Sequence, residues 1–177
     1  MGGRADWAIS VEDPRADDVR ELVGAHLAFA RGETPLEYAF ALDSDGLDED
    51  SVALFGLRER GALVGIAALK ELGAGHGEIK SMHTARAARG RGIGRALLEH
   101  VVAVARERRM HTLSLETGTQ EAFSPARALY ESAGFVACGP FGDYRASPHN
   151  TFMALLLGAD RVTRDSATRS HRASRAR

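Results

Sequence analysis

Hydrophobic and polar residues change period several times along this chain, and each change predicts an element. Ala8 to Val11 alternates and is closed by Glu12-Asp13-Pro14, which predicts a short strand. Val19, Leu22, Val23, His26 and Leu27 recur at helical spacing. Asp13 is the expected N-cap of that helix, Pro14 its first residue, and Asp17 and Asp18 suit its positive end. Gly32 is expected to end it, and Thr34-Pro35 to start a second, shorter helix over Leu36 to Leu42. An acidic loop containing Gly46 follows from Asp43 to Asp50. Ser51 to Leu57 and Ala62 to Leu72, joined through Arg58-Glu59-Arg60-Gly61, predict a β-hairpin.

Glu78 to Thr84 then alternates as a strand, with Ile79, Ser81 and His83 on one face. A helix from Gly92 to about Arg108 carries the stripe Ile93, Leu97, Val101, Val104. Thr112 to Glu116 predicts another strand. Ser124-Pro125 predicts a helix start with Ser124 as its cap. Gly134 is expected to close that helix in a left-handed cap, with Phe135 as its hydrophobic partner. Phe135 to Cys138 and Thr151 to Leu157 complete the strands. This order predicts an α/β (α+β) chain, a mixed sheet with helices on both faces.

Composition narrows the function. A length of 177 residues suits one domain, expected over 1–157. Six arginines among Ser, Thr and Ala between Arg161 and Arg177 make 158–177 a tail too poor in apolar residues to fold, so it is expected to be disordered. A net charge of -1 provides no global field to recruit nucleic acid or an anionic membrane. No apolar run approaches the ~20 residues of a membrane span, and no signal-peptide core opens the chain. Cys138 is the single cysteine and is expected to be a buried strand residue. It permits no internal disulfide and fits a reducing compartment, so the expected location is cytoplasmic. The seven histidines do not cluster at ligand spacing, so no metal site is expected.

The candidate chemistry begins between the central strand and the helix after it. Arg89-Gly90-Arg91-Gly92-Ile93-Gly94 is a glycine turn that opens a helix. Its glycines can take backbone angles closed to other residues, and the helix start adds unpaired N–H groups and a positive dipole end. Such a turn is an anion site, suited to a pyrophosphate. It lacks the Gly-Lys-Ser/Thr of a P-loop and the glycine spacing of a Rossmann turn.

Arg89-x-x-Gly92-x-Gly94 resembles the acetyl-CoA pyrophosphate turn of the GCN5-related N-acetyltransferase (GNAT) superfamily. Ala128-Leu129-Tyr130-Glu131-Ser132-Ala133-Gly134-Phe135 resembles its "ALYxxxGF" segment, and Leu113 to Thr117 its splayed strand. Gly77 to Met82, Ser114 to Gly118, and Gly139 to Tyr144 with Phe152-Met153 resemble a bacterial subfamily of small-molecule acetyltransferases. The resemblance spans roughly residues 8 to 157. It implies a mixed, mostly antiparallel sheet of about six to seven strands and attack of an amine on the thioester of acetyl-CoA.

The resemblance also implies roles. Backbone N–H groups of Gly90, Arg91, Gly92, Ile93, Gly94 and Arg95 would hold the pyrophosphate, with Arg89 and Arg91 lending charge or standing as solvated residues. The pantetheine arm would lie along Met82, His83 and Thr84, where the N–H of Met82 or His83 could hold the thioester oxygen. Tyr130 is the candidate general acid, the alternative being a core aromatic. Glu78 is the candidate base, the alternative being a strand-end residue paired with Lys80 or Arg145; Glu116 is second choice. His83 could touch the acetyl group or simply wall the site. His26, Glu116, Asp143 and Tyr144 are candidate acceptor contacts. The expected acceptor is a small amine or amino acid, with protein N-termini or lysines as the rival class. A non-catalytic acyl-CoA-binding module is the rival from outside enzymes. A homodimer is compatible with the superfamily, though no interface is legible.

Overall fold

The computed structural model describes residues 6–35 and 42–158. The helix expected over Leu36 to Leu42 falls on 36–41, and the tail on 159–177; both lie outside the described residues. Among the described residues, seven strands form one sheet in the order β1-β2-β3-β4-β5-β7-β6. The strands are β1 (Trp7–Val11), β2 (Val52–Glu59), β3 (Ala62–Gly73), β4 (His76–Thr84), β5 (Thr112–Gly118), β6 (Val136–Cys138) and β7 (Asn150–Leu156). Every neighbouring pair is antiparallel except β4 and β5, which are parallel.

Helices cover both faces. On one, α1 (Asp17–Glu33) and the single turn α2 (Ser44–Leu47) bury Val19, Leu22, Val23 and Leu47 against Leu54, Ile66 and Ala68. On the other, α3 (Ile93–Glu107) and α4 (Ser124–Ser132) bury Ile93, Leu97, Val101 and Tyr130 against Leu57, Leu69, Ile79 and Leu115. Removing these side chains from water on two faces is the main stabilising term.

Several local expectations change. Asp13 does not cap α1: its carboxylate accepts from the Arg15 N–H at 2.8 Å in a turn of its own, and the helix starts beyond Ala16. Asp43 instead caps α2, accepting from the Gly46 N–H at 3.0 Å, so part of the acidic loop is helical. Ser124 is no cap either. A 3-10 turn over Glu121–Phe123 runs straight into α4, leaving Ser124 already helical. Cys138 is exposed on β6. That strand is a three-residue sheet edge, with no strand beyond it among the described residues to cover the thiol. Gly134 does cap α4 with φ 92°, and Phe135 is buried beside it.

The most consequential difference is in β4. Ile66 pairs with His83 while Ala68 pairs with Lys80, so Ser81 and Met82 together oppose Ala67. Ser81 takes a positive φ of 50° at this bulge. A bulge breaks the two-residue alternation of a strand, so Ile79 and His83 do not share a face. Ile79 and Met82 pack on the α3–α4 side, whereas the His83 ring lies 5.3 Å from His26 of α1.

Gly65 on β3 seats the start of α3. A Cβ there would fall 2.7 Å from Ile93 Cγ2 and 2.9 Å from Leu97 Cδ1. Overpacking of this kind costs about 1–3 kcal/mol. Gly65→Val should therefore lower the thermal midpoint by several degrees, read by calorimetry, and push the first turn of α3 away from the sheet. An unchanged midpoint would show that α3 is not held by this contact.

Candidate active site

The parallel pairing of β4 and β5 covers only His76 to Ile79 against Thr112 to Leu115. Beyond that point the strands part, which leaves the β5-facing edge of β4 unpaired over its last residues. The carboxyl end of a parallel strand pair that opens is a natural ligand crevice. Next to it, Gly90 and Gly92 hold φ of 74° and 87°. Gly92 is the N-cap of α3 and has no side-chain cap; the Ala96 N–H is the one that returns to the Gly92 carbonyl at 3.0 Å. The preceding N–H groups of the first turn are those a helix leaves without internal partners. Gly94 completes the close approach: a Cβ there would lie 3.3 Å from Leu129 of α4.

The arginines of the turn differ. Arg89 donates through Nε to the Thr84 carbonyl at 3.3 Å, with its guanidinium 5.8 Å from the Phe29 ring. Arg91 is ion-paired with Glu59, and Arg95 donates to Ser132 Oγ at 3.1 Å.

Within the splay lies a cavity of about 140 Å³ whose walls include His26 and Phe29 of α1, Glu78, Lys80, Ser81 and His83 of β4, Glu116 of β5, Tyr130 of α4, and Tyr144. Asp143 lies outside it and instead lines a neighbouring cavity of about 350 Å³. Of the predicted contacts, the fold therefore brings His26, Glu78, Met82, His83, Glu116, Tyr130 and Tyr144 together and leaves Asp143 apart.

The two carboxylates sit in different states. Glu78 is buried and committed: its Oε1 accepts from the Tyr144 hydroxyl at 2.6 Å and from Lys80 Nζ at 3.3 Å. Lys80 also donates to the Tyr144 oxygen. Burial pushes Glu116 up to about 7; the Glu78 charge adds to this and Lys80 opposes it. Burial drives His26 down to about 4, helped by His83 and Lys80. Burial likewise drives His83 to about 4, helped by Arg89. Both imidazoles are thus neutral near pH 7. Burial, and then the Glu116 charge, raise the Tyr130 phenol above its ordinary range, so it holds its proton. Its hydroxyl meets Met82 Sδ at 3.9 Å, a weak contact.

Sequence reasoning missed Phe29 and Phe123, whose rings meet at 5.1 Å and wall the cavity. Phe29 was findable, since it lies three residues beyond His26 on one helix face. Phe123 sits in an irregular turn and carries no periodic signal. Among the described residues, no three His, Cys, Asp or Glu gather as a metal site, and no helix is long and apolar enough to cross a membrane.

A glycine turn at a helix start thus stands beside a parallel strand pair that parts around a buried phenol and two carboxylates. The acetyltransferase (GNAT) family model matches residues 17–135, and the chain belongs to that family. It is 40% identical over 151 residues to the uncharacterised N-acetyltransferase YedL of Escherichia coli, covering 85% of this chain and 95% of YedL. It is 35% identical to the IAA acetyltransferase of Azospirillum brasilense, covering 82% and 94%. A Klebsiella pneumoniae structure, described only provisionally as an acyl-CoA N-acyltransferase, superposes with TM-score 0.72 at 29% identity, covering 87% of this chain and 99% of that one. The chain is an acyltransferase enzyme.

Proposed function

We propose that this enzyme transfers acetyl from acetyl-CoA to the amine of a small molecule by direct attack on the thioester. The observation that carries the reading is the continuity of three features. The start of α3 lies against the open edge of β4, where a Cβ on Gly94 would fall 3.5 Å from Met82 and 3.7 Å from Thr84, and that edge leads into the cavity containing Tyr130 and Glu116 at the β4–β5 splay. The residues fit an acyl-CoA: N–H groups from Gly90 to Arg95 suit its pyrophosphate, and the free edge at Met82 to Thr84 suits the peptide-like arm. When bound, it supplies the activated acetyl group.

The chain's own residues then divide the work. An N–H of Met82 or His83 stabilises charge developing on the thioester oxygen. Glu116 accepts a proton from the acceptor ammonium, because a protonated amine has no free lone pair. We assign the base to Glu116 rather than Glu78, since Glu78 already accepts from Lys80 and Tyr144. Tyr130 gives its proton to the departing thiolate. The small cavity and the similarity to an IAA acetyltransferase support a small acceptor over a protein.

The test is free-thiol release from acetyl-CoA across amines, amino acids, polyamines and short peptides, alongside thermal melting with acetyl-CoA. Release on a small acceptor together with an upward melting shift is expected. Peptides outrunning every metabolite would overturn the acceptor class. A melting shift without release on any acceptor would favour a binding module, and no shift at all would overturn the assigned binding surface.

A further inference from the structure

Resting on that reading, we propose that the acceptor is a zwitterion, an amine that also carries a carboxylate. Lys80 and Ser81 hold the carboxylate on one wall of the cavity, and the amine faces Glu116 on the other.

Lys80 carries this inference. It is the one lysine or arginine among the described residues that line the cavity, and its side chain is only 9% exposed. A buried ammonium needs both an opposite charge and partners for its three protons. Two of its N–H groups go to Tyr144 and Glu78. The Glu78 contact is long at 3.3 Å, against the ~2.7–2.9 Å of a strong charged pair. Moreover, the carboxylate oxygen it uses is shared with the shorter bond from Tyr144. One N–H of Lys80 has no partner among the described residues.

Ser81 is the independent second observation. It is buried and lines the same cavity, and its hydroxyl has no hydrogen-bond partner among the described residues. In a regular strand, consecutive residues point to opposite faces. The bulge at Ser81 interrupts that rule beside the open strand edge, where all residues from Glu78 to His83 border the cavity and Ser81 is the immediate neighbour of Lys80. A serine rotates about a single side-chain bond, so its hydroxyl can turn toward an oxygen placed beside Lys80. His26, whose Nδ1 is also buried without a partner among the described residues, adds a neutral polar group to the α1 wall.

The opposite wall provides the complement. Glu116 follows Leu115, which pairs with Ile79 at the last rung of the β4–β5 ladder, so Glu116 stands across the opening from Lys80. Lys80, paired with Glu78 but with one N–H left over among the described residues, faces Glu116, which accepts no hydrogen bond among them, across a cavity whose two imidazoles carry no charge. A polycation would meet Lys80 as repulsion. Lys80, Glu78 and Tyr144 also border the larger cavity, whose other walls mix apolar Leu42, Leu72 and Phe141 with charged Lys70 and Asp143, which leaves room for a substituent next to the carboxylate.

The step balances in protons. The acceptor ammonium loses one proton to Glu116, its nitrogen bonds to the acetyl carbon, and the carbon–sulfur bond breaks. The thiolate takes the Tyr130 proton, and the second proton lost by the nitrogen restores the phenol.

The experiment compares kcat/KM for several amino acids with their methyl esters and their decarboxylated amines. The ester amine is the less basic, so a fall on esterification runs against intrinsic reactivity. The acid is expected to exceed both partners by about 100-fold, the scale of a desolvated charged contact. Lys80→Met should reduce that ratio to within a few-fold while acetyl-CoA still raises the melting temperature, and Lys80→Arg should keep part of it. Equal rates for acid and ester, an unchanged ratio in Lys80→Met, or a preference for polyamines would overturn the zwitterion while leaving the N-acetyltransferase reading intact. If Lys80→Met does not fold, the wild-type acid-to-ester ratio decides alone. Absence of release on every member overturns both, and the melting shift then separates a binding module from a misplaced site.

Discussion

Tyr130→Phe is expected to slow thiol release from acetyl-CoA by about 10²-fold or more, the usual contribution of a positioned general acid. The phenol is buried, and burial followed by the Glu116 charge keeps it protonated well above neutral pH. Its contact with Met82 sulfur at 3.9 Å is too weak to tie the proton down. Phenylalanine keeps the ring that packs 5.9 Å from Phe135, so the fold and the acetyl-CoA melting shift should survive. A loss confined to the chemical step, growing with worse thiol leaving groups, is the signature of the acid. An unchanged rate would reduce Tyr130 to a core aromatic.

Glu116→Gln should cost a comparable factor and remove a pH dependence. With its folded value near 7, the Glu116 carboxyl is protonated below that pH and unable to accept a proton. Wild-type kcat/KM should therefore rise through pH ~7 before levelling, and the variant should lose that limb. The groups facing it are Lys80 and Glu78 on β4, Tyr130 on α4 and Tyr144 on the loop before β7. Stability provides a second readout with opposite sign. A carboxyl whose folded value lies above the unfolded 4.5 is strained by ionisation. That cost is absent below the unfolded value, develops between about 4.5 and 7, and is full above 7. Glu116→Gln should thus raise the melting temperature at pH 8 and change it little at pH 4. A rate limb that persists in Glu116→Gln would move the base elsewhere, with Glu78→Gln as the next variant.

The acetyl-CoA half of the proposed site was legible because it is local. Gly90, Gly92 and Gly94 lie within one short stretch of chain, the positive φ of Gly90 and Gly92 follows from the missing Cβ, and α3 begins where its apolar stripe does. The Gly134–Phe135 cap was legible for the same reason. The acceptor half was legible only as residue types. Glu78 and Glu116 are chemically alike in sequence, yet one is tied by Tyr144, 66 positions away, and the other accepts no hydrogen bond among the described residues.

By itself, then, the sequence determined the family, the order of the strands, the three longer helices and the glycine turn that opens α3. Each of these rests on backbone preferences and apolar periods that act over a few residues. Tertiary structure alone decided the bulge at Ser81, the parting of β4 from β5, the exposure of Cys138 on a sheet edge, and which carboxylate Tyr144 and Lys80 tie down. All four depend on how distant strands register against one another. Pairing partners, unlike turn glycines, leave no mark in the local pattern: Lys80 and Ser81 alternate as any strand residues do until Ala67 meets two residues instead of one.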